Sequence, residues 1–251
     1  MLEERATVAG PSSVSVAGRV LRLSAASDDF APLFDDVWLG TELWPAAQVL
    51  IRAMQEPTAL ARQLGRAAVV AELGAGTGAC GLAAAALGAR EVTLTDKESL
   101  VPALRANVTA NQLDAIVTCE ALEWSDGVPA HVLKGGADVV LMSDCLNPVY
   151  GERHAEALAA VLDDLLRRRA AAIAGEARAA DVAPSAPHDE EPMGLLSQTR
   201  RGDGVAEACF WRACERLGLR GEKLMDAAEG SEAVTVHAVW LGAGGCVADT
   251  S

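Results

Sequence analysis

The segment from Val69 to Gly78 reads VVAELGAGTG, and it decides the fold class of this chain. An apolar run interrupted only by Glu72 is typical of a strand that is covered on both faces of a parallel sheet. The run ends in three glycines at alternate positions, Gly74, Gly76 and Gly78. The small residues at 79–87 then predict a helix. We therefore expect a strand, a tight glycine loop and a helix whose amino terminus offers N–H groups to a ligand.

An acidic residue, Asp96, closes the next predicted strand, residues 91–95. The carboxyl ends of parallel strands meet at one edge of the sheet, where Asp96 can accept both hydroxyls of a ribose. Gly76, Gly78 and Gly81 also satisfy the GxGxxG pattern, so a nicotinamide dinucleotide is one alternative. The carboxylate of Glu72 disfavours a nearby pyrophosphate but can bind an ammonium group, directly or through water. This favours S-adenosylmethionine, which has an ammonium and a sulfonium but no phosphate.

The rest of the chain alternates predicted strands with predicted helices. The strands are expected at 67–73, 91–95, 116–121, 137–143, 194–199 and 233–241, and the helices at 79–87, 98–111, 152–169 and 203–217, the last with Asp203 as its N-cap. This order predicts an α/β domain over 44–251 with a doubly wound, mostly parallel sheet. Residues 1–43 are expected to form an N-terminal extension in which 14–16 and 21–23 pair as a β-hairpin. The Ala-, Pro- and acid-rich stretch 175–191 predicts a flexible insertion.

Composition narrows the classes of partner. A formal net charge of -14 opposes binding to phosphate backbones and favours a basic protein partner, although acidity that serves only solubility is an equal alternative. The six cysteines form no CxxC pair and have no histidine at metal-ligand spacing, so we expect no metal, and reduced thiols in the cytosol or nucleus. Neither a signal peptide nor a membrane span is predicted. A monomer is expected.

The glycine loop together with Asp96 resembles the first motif of the seven-β-strand methyltransferases, E/D-x-G-x-G-x-G followed by an acid at the end of the second strand. This resemblance implies a Rossmann-like methyltransferase that uses S-adenosylmethionine and releases S-adenosylhomocysteine.

A narrower resemblance extends from about Trp44 to Trp240, to the methyltransferase family 16 group of protein-lysine methyltransferases. The matching blocks are Leu43–Ala47 (W-P-A-A), Thr95-Asp96 with Asn107 and Asn111, Leu122-Glu123-Trp124 (L-x-W), Asp144 (D-x-x-Y) and Arg200 with Phe210-Trp211. The resemblance implies that Trp44 and Trp124 enclose the cofactor and that Asp144 faces a lysine substrate. Ser143 is either a turn residue or an adenosine contact. The predicted cofactor-binding set is therefore Trp44, Glu72, Gly74, Gly76, Gly78, Asp96, Trp124 and Ser143.

The acceptor is less clearly specified, because Asn147 stands where most of that family has tyrosine. Tyr150, the only tyrosine, lies three residues on, and a turned loop would present it instead. The stretch 147–150 also resembles the N-P-P-Y motif of enzymes that methylate planar amide or nucleobase NH₂ groups, shifted by four residues from the strand end. The predicted catalytic residues are thus Asp144, Asn147 and Tyr150. A non-catalytic methyltransferase-like binding module is a third alternative, and no chemistry is assigned to the four histidines.

Overall fold

The structure, a computed structural model, describes residues 12–24, 42–56, 64, 68–180 and 191–242. Its strands are β1 (Ser12–Val16), β2 (Arg19–Leu23), β3 (Val69–Leu73), β4 (Glu91–Asp96), β5 (Val117–Ala121), β6 (Val139–Ser143), β7 (Met193–Thr199), β8 (Leu219–Glu229) and β9 (Glu232–Leu241). Its helices are α1 (Pro45–Gln55), α2 (Ala79–Ala86), α3 (Val101–Ala110), α4 (Glu152–Ala180) and α5 (Val205–Leu217). Within these ranges, no helix combines the length and the apolar character needed to cross a bilayer.

Seven strands form one sheet in the order β5-β4-β3-β6-β7-β9-β8, and β9 is antiparallel to both of its neighbours. The predicted doubly wound, mostly parallel seven-stranded sheet is confirmed. Strand β3 lies between β4 and β6, and Leu73 is in register with Thr95 on one side and Met142 on the other. The carboxyl ends of β3, β4 and β6 therefore meet at one edge of the sheet.

Both faces of the sheet are covered, which explains the continuous apolar run at β3. Successive side chains point to opposite faces, so Val70 packs with α1, α2 and α3 while Ala71 and Leu73 pack with α4 and α5. All five residues of β3 are buried. The only acid among them, Glu72, is thereby drawn into the interior.

Strands β1 and β2 pair antiparallel as a hairpin, and Val16, Leu21 and Leu23 are buried against the same core as α1 and α2. Asn111, at the end of α3, accepts the Arg22 N–H at 2.9 Å through Oδ1 and donates to the Arg22 carbonyl at 2.7 Å through Nδ2. This side-chain amide therefore pairs with β2 as a neighbouring strand would.

Asn107, one helical turn earlier, makes the same pair of bonds with Ser24, at 2.9 and 3.1 Å. Its Nδ2 also donates to the Thr77 carbonyl in the glycine loop at 3.0 Å. The two asparagines that belong to the family pattern thus connect the hairpin to the glycine loop.

Three details differ from the sequence-based expectations. Helix α4 continues to Ala180, so residues 175–180 are helical and not part of a loop. Its last turns are rich in Ala, Arg and Glu, which favour helix. The rest of the predicted insertion, residues 181–190, lies outside the described ranges. Strand β8 was not predicted because it is a charged edge strand that pairs with β9 alone and shows no apolar alternation. Finally, the N-cap of α5 is Gly204, with φ 72°, and not Asp203.

We predict that Asn111→Ala lowers the free energy of unfolding by about 1–3 kcal/mol, because the amide and carbonyl of Arg22 lose their partner in a largely buried setting. Urea denaturation measures the change. Thr109→Ala is the control, since this exposed residue on the same helix bonds only a surface aspartate, Asp114. Equal losses in the two variants would contradict the role given to Asn111.

Candidate functional site

An open cleft lies at the carboxyl ends of β3, β4 and β6. Ligands of open α/β sheets bind in the crevice at this edge. Ten of the predicted site residues line it: Trp44, Glu72, Gly74, Gly76, Asp96, Trp124, Ser143, Asp144, Asn147 and Tyr150. The structure therefore brings together residues that are about a hundred positions apart in the chain.

The glycines of the loop serve different purposes. Gly74 has φ 64°, and a Cβ atom there would lie 3.1 Å from the indole of Trp124 and 3.2 Å from the Cys145 sulfur. Gly78 does not line the cleft; its Cβ atom would lie 2.9 Å from Leu94. Gly78 thus allows the loop to pack on β4, whereas Gly74 and Gly76 present bare backbone to the cleft.

Asp96 holds the loop in place. Its Oδ2 accepts the Gly76 N–H at 2.7 Å and its Oδ1 accepts the Lys97 N–H at 2.8 Å. Burial raises the pKa of Asp96, and these two N–H groups oppose that rise. Each carboxylate oxygen still has a lone pair available, so ribose hydroxyls can be accepted without breaking either bond.

Glu72 is only 2% exposed, and its Oε2 accepts the Gly81 N–H at 2.8 Å. A Cβ atom on residue 81 would lie 2.8 Å from that oxygen, so glycine is needed for the close approach. Burial raises the pKa of Glu72 to about 8, with the Gly81 N–H opposing the rise and the charge of Asp96 adding to it. At pH 7 the carboxyl group is therefore mainly protonated.

An aromatic wall forms one side of the cleft. The imidazole of His154 lies between the rings of Trp124 and Tyr150, with centroid distances of 4.4 and 4.7 Å. Lys97 Nζ lies 5.7 Å from the centre of the Tyr150 ring, within cation–π range. His154 was missed by the sequence analysis, although its position four residues after Tyr150 is the spacing of neighbours on a helix. Burial, and then the charge of Lys97, lower the pKa of His154 to about 4, so it is neutral at pH 7.

Asn147 and Tyr150 bound a short 3-10 turn, Pro148–Tyr150. The Oδ1 of Asn147 accepts the Val149 N–H at 3.1 Å and thereby caps the turn. The turn brings the Tyr150 ring to the cleft, as expected from a turned loop.

Asp144 also lines the cleft, and its backbone is in the left-handed region with φ 57°. Its side chain is 6% exposed, and both of its oxygens already accept bonds. Oδ1 accepts from Gln198 Nε2 at 3.0 Å and from the Thr199 N–H at 3.2 Å, and Oδ2 accepts from Thr199 Oγ1 at 3.2 Å and from Arg201 Nη2 at 2.6 Å. Burial raises the pKa of Asp144, and the charge of Arg201 is the largest opposing influence.

Arg201 was also missed by the sequence analysis. Its guanidinium lies over the indole of Trp44, 4.8 Å from the ring centre, and it lines the cleft. Its neighbour Arg200, which carries part of the family resemblance, is 61% exposed and pairs with Asp226 at 3.3 Å. No periodicity distinguishes two adjacent arginines, so only the structure shows which of them enters the cleft.

The charges around the cleft are mainly acidic. The acidic lining residues are Glu42, Glu72, Asp96, Glu123 and Asp144, against the basic Lys97 and Arg201. Even with Glu72 protonated and Asp144 paired with Arg201, three acids remain against one lysine, so the lining attracts cations and repels phosphates. In the part of the chain that the structure describes, no group of three or more His, Cys, Asp or Glu side chains is placed to hold a metal ion, and the five cysteines there are free and buried.

Comparison with known proteins decides the family. The sequence profile of the lysine methyltransferase family matches residues 36–181, more than half of the chain. The chain belongs to this methyltransferase family. It is also similar to the protein N-lysine methyltransferase METTL21A of Danio rerio, with 39% identity over 99 residues, which covers 38% of this chain and 43% of the relative.

Two further similarities place this family member among other methyltransferases. It is 34% identical over 128 residues to a ribosomal protein L11 methyltransferase of Prochlorococcus marinus, covering 51% of this chain and 38% of the relative. The chain thus matches less than half the length of either relative. Among solved structures, it shares its fold with TYW2 of Pyrococcus horikoshii in complex with MeSAdo, with a TM-score of 0.50, 16% identity, and coverage of 92% and 72%.

The residues present fit S-adenosylmethionine, the cofactor that this family implies. Gly74 and Gly76 line the cleft without side chains, and Asp96 keeps acceptor capacity for a ribose. The acidic lining suits a ligand with an ammonium and a sulfonium. Trp44 and Trp124 would provide apolar surface for its adenine and its aliphatic chain.

We predict that Gly74→Ala weakens the binding of S-adenosylmethionine by at least about tenfold, because the new methyl group forces the Trp124 indole to move. Titration by tryptophan fluorescence measures the affinity. Gly127→Ala is the matched control: Gly127 also has a positive φ, 73°, but a Cβ atom there meets nothing within 4 Å. Equal affinities in the two variants would show that the close approach of Gly74 to Trp124 is not needed for cofactor binding.

The second prediction for this site concerns pH. A cationic ammonium beside Glu72 favours the ionised carboxylate and lowers its pKa from about 8 in the free protein. The affinity for S-adenosylmethionine should therefore rise as the pH increases toward 8 and level off above it, with release of a proton on binding. Calorimetry in buffers of different ionisation enthalpy counts the protons. Glu72→Gln should abolish both effects, and wild-type binding without proton release at pH 7 would refute the prediction.

Proposed function

We propose that the chain transfers a methyl group from S-adenosylmethionine to a lysine side chain of a basic protein. The observation that carries the proposal is the acidic cleft, with Asp144 at the end of β6, in a member of the lysine methyltransferase family. The similarity to METTL21A supports a protein lysine, and the similarity to a ribosomal protein L11 methyltransferase supports a protein substrate more generally.

The cofactor supplies an electrophilic sulfonium methyl group when it is bound. The protein residues must then hold an uncharged nucleophile in line with that methyl group and exclude water. A lysine amine has a reference pKa of about 10.4, so it must lose a proton before it can attack. Neutral His154 is a poor base for this proton, since burial and the charge of Lys97 lower its pKa to about 4. Water is therefore the expected proton acceptor.

Asn147 has a structural role in this part of the cleft. Its Oδ1 accepts the Val149 N–H at 3.1 Å and caps the 3-10 turn, which uses one of the two lone pairs of that oxygen. Nucleobase acceptors are disfavoured by the acidic lining and by the net charge of -14.

The decisive experiment is incubation of the protein with cell extract and radiolabelled S-adenosylmethionine, followed by mass spectrometry of the labelled species. The expected product is methyl-lysine in a protein. Methylation confined to a glutamine amide or a nucleobase would refute the lysine assignment, and labelling that does not exceed an enzyme-free control would refute the methyltransferase activity.

A pair of substitutions tests the acceptor residue independently. We predict that Asp144→Asn lowers methyl transfer to protein by at least about 10²-fold, because it leaves the Arg201 guanidinium unpaired beside the acceptor and disturbs substrate orientation, which contributes at that scale. Asn147→Ala should affect lysine methylation much less, since Asn147 caps a turn. Initial rates at saturating cofactor measure both. If Asn147→Ala is the more damaging change, the amide interpretation is favoured.

A further inference from the structure

Arg201 forms an ion pair with Asp144, the carboxylate that the proposed function places near the acceptor lysine. Its Nη2 lies 2.6 Å from Asp144 Oδ2, and Asp144 is 6% exposed. The other three bonds to this carboxylate come from Gln198 and Thr199. Asp144 therefore has no oxygen left for an incoming ammonium group unless Arg201 moves away.

The position of Arg201 is held by more than this ion pair. The guanidinium stacks on Trp44 with 4.8 Å between Cζ and the ring centre, and the side chain is 27% exposed. Its Nε is buried and has no hydrogen-bond partner among the described residues. Leaving a donor buried and unpaired is unfavourable, so the ion pair and the indole must compensate for it.

Other titratable groups face the same space. Glu207 is half-buried, and its pKa is raised by burial and by the charge of Asp144, against the charge of Arg200. Cys145, beside Asp144, has its pKa raised by burial, so it stays a neutral thiol. The other titratable residues that line the cleft are Glu42, Glu72, Asp96, Lys97, Glu123, Tyr150 and His154. Of the two cations that line the cleft, Lys97 is near Tyr150, and only Arg201 contacts Asp144.

Resting on the proposed lysine specificity, we propose that Arg201 is a specificity-determining residue that keeps Asp144 from binding the acceptor as an ammonium, so that the lysine is held as its uncharged amine. A free carboxylate would stabilise the ammonium and raise the pKa of the amine, whereas the neutral Asp144–Arg201 pair does not. The ammonium would give one proton to water. The amine nitrogen would then bond to the methyl carbon as the carbon–sulfur bond breaks, with S-adenosylhomocysteine as the leaving group and a methylated ammonium as the product.

The test compares the pH profiles of kcat for Arg201→Met and wild type. The substrate is an unmethylated peptide that contains the target lysine identified by mass spectrometry. Because kcat reports ionisations in the bound complex, the ascending limb should shift up by about one pH unit in Arg201→Met. At pH 7, kcat should fall by about tenfold, and KM should fall because the freed carboxylate binds the ammonium. Arg200→Met is the control, since it removes the same charge from an exposed neighbour, and it should leave the limb in place.

Arg201→Lys separates charge from packing, because it keeps the cation but loses the planar guanidinium. Its pH limb should coincide with that of wild type. A limb that is unchanged in Arg201→Met, or displaced equally in Arg201→Lys, would overturn the proposal. Arg201 contacts Trp44, which lines the cleft, so a substitution at 201 can change the affinity for S-adenosylmethionine. Each variant is therefore titrated with the cofactor, and its rates are measured at saturation.

A wild-type measurement avoids any dependence on the folding of variants. A peptide with γ-thialysine at the target position has a less basic amine, so its kcat limb should lie at lower pH than that of the lysine peptide. Coincident limbs would overturn the proposal while the lysine assignment stands. Absence of methyl-lysine in the extract experiment would instead refute the proposed function on which this inference rests.

Discussion

The cleft depends on two carboxylates that bind the backbone of the glycine loop and of the helix after it. Asp96 accepts the Gly76 N–H and Glu72 accepts the Gly81 N–H, each from the end of a buried parallel strand. These bonds stabilise a loop whose glycines adopt positive φ, a conformation that unsupported backbone pays for in entropy. The loop conformation in turn sets the distance between Gly74 and Trp124, and so the shape of the cleft.

The same burial that makes these bonds strong also controls charge. Burial raises the pKa of Glu72 to about 8, so this residue is mainly neutral at pH 7. None of the described groups that influence its pKa is a cation. Asp144, in contrast, has Arg201 beside it. Two buried acids at adjacent strand ends thus differ in what they offer a ligand. One can ionise when a cation arrives, and the other is already neutralised by a permanent partner.

The N-terminal hairpin and the cleft are parts of one packed body. Asn107 and Asn111 bind β2 through their side-chain amides, and Asn107 also bonds the Thr77 carbonyl in the glycine loop. The family pattern that contains these asparagines therefore has a structural explanation. Neither asparagine lines the cleft, but Asn107 bonds the Thr77 carbonyl in the loop that does.

The sequence was sufficient to predict whatever depends on local pattern. The apolar run before Gly74 gives a buried strand, the alternating glycines give a loop, and Asp96 ends the neighbouring strand; parallel strands then necessarily bring these residues to one edge. Helix lengths were less predictable, because the insertion 175–191 was expected to begin where α4 still continues. Strand β8 has no apolar alternation because it lies at the sheet edge.

Only the tertiary structure shows the pairs formed between distant segments. Arg201 pairs with Asp144, which is 57 residues away in sequence, and stacks on Trp44, which lies in the first quarter of the chain. The pKa of His154 falls to about 4 because burial beside Trp124 and Tyr150, and then the charge of Lys97, disfavour its cation. The residue types at these positions are visible in the sequence, but their charge states are not, because burial and long-range neighbours set them.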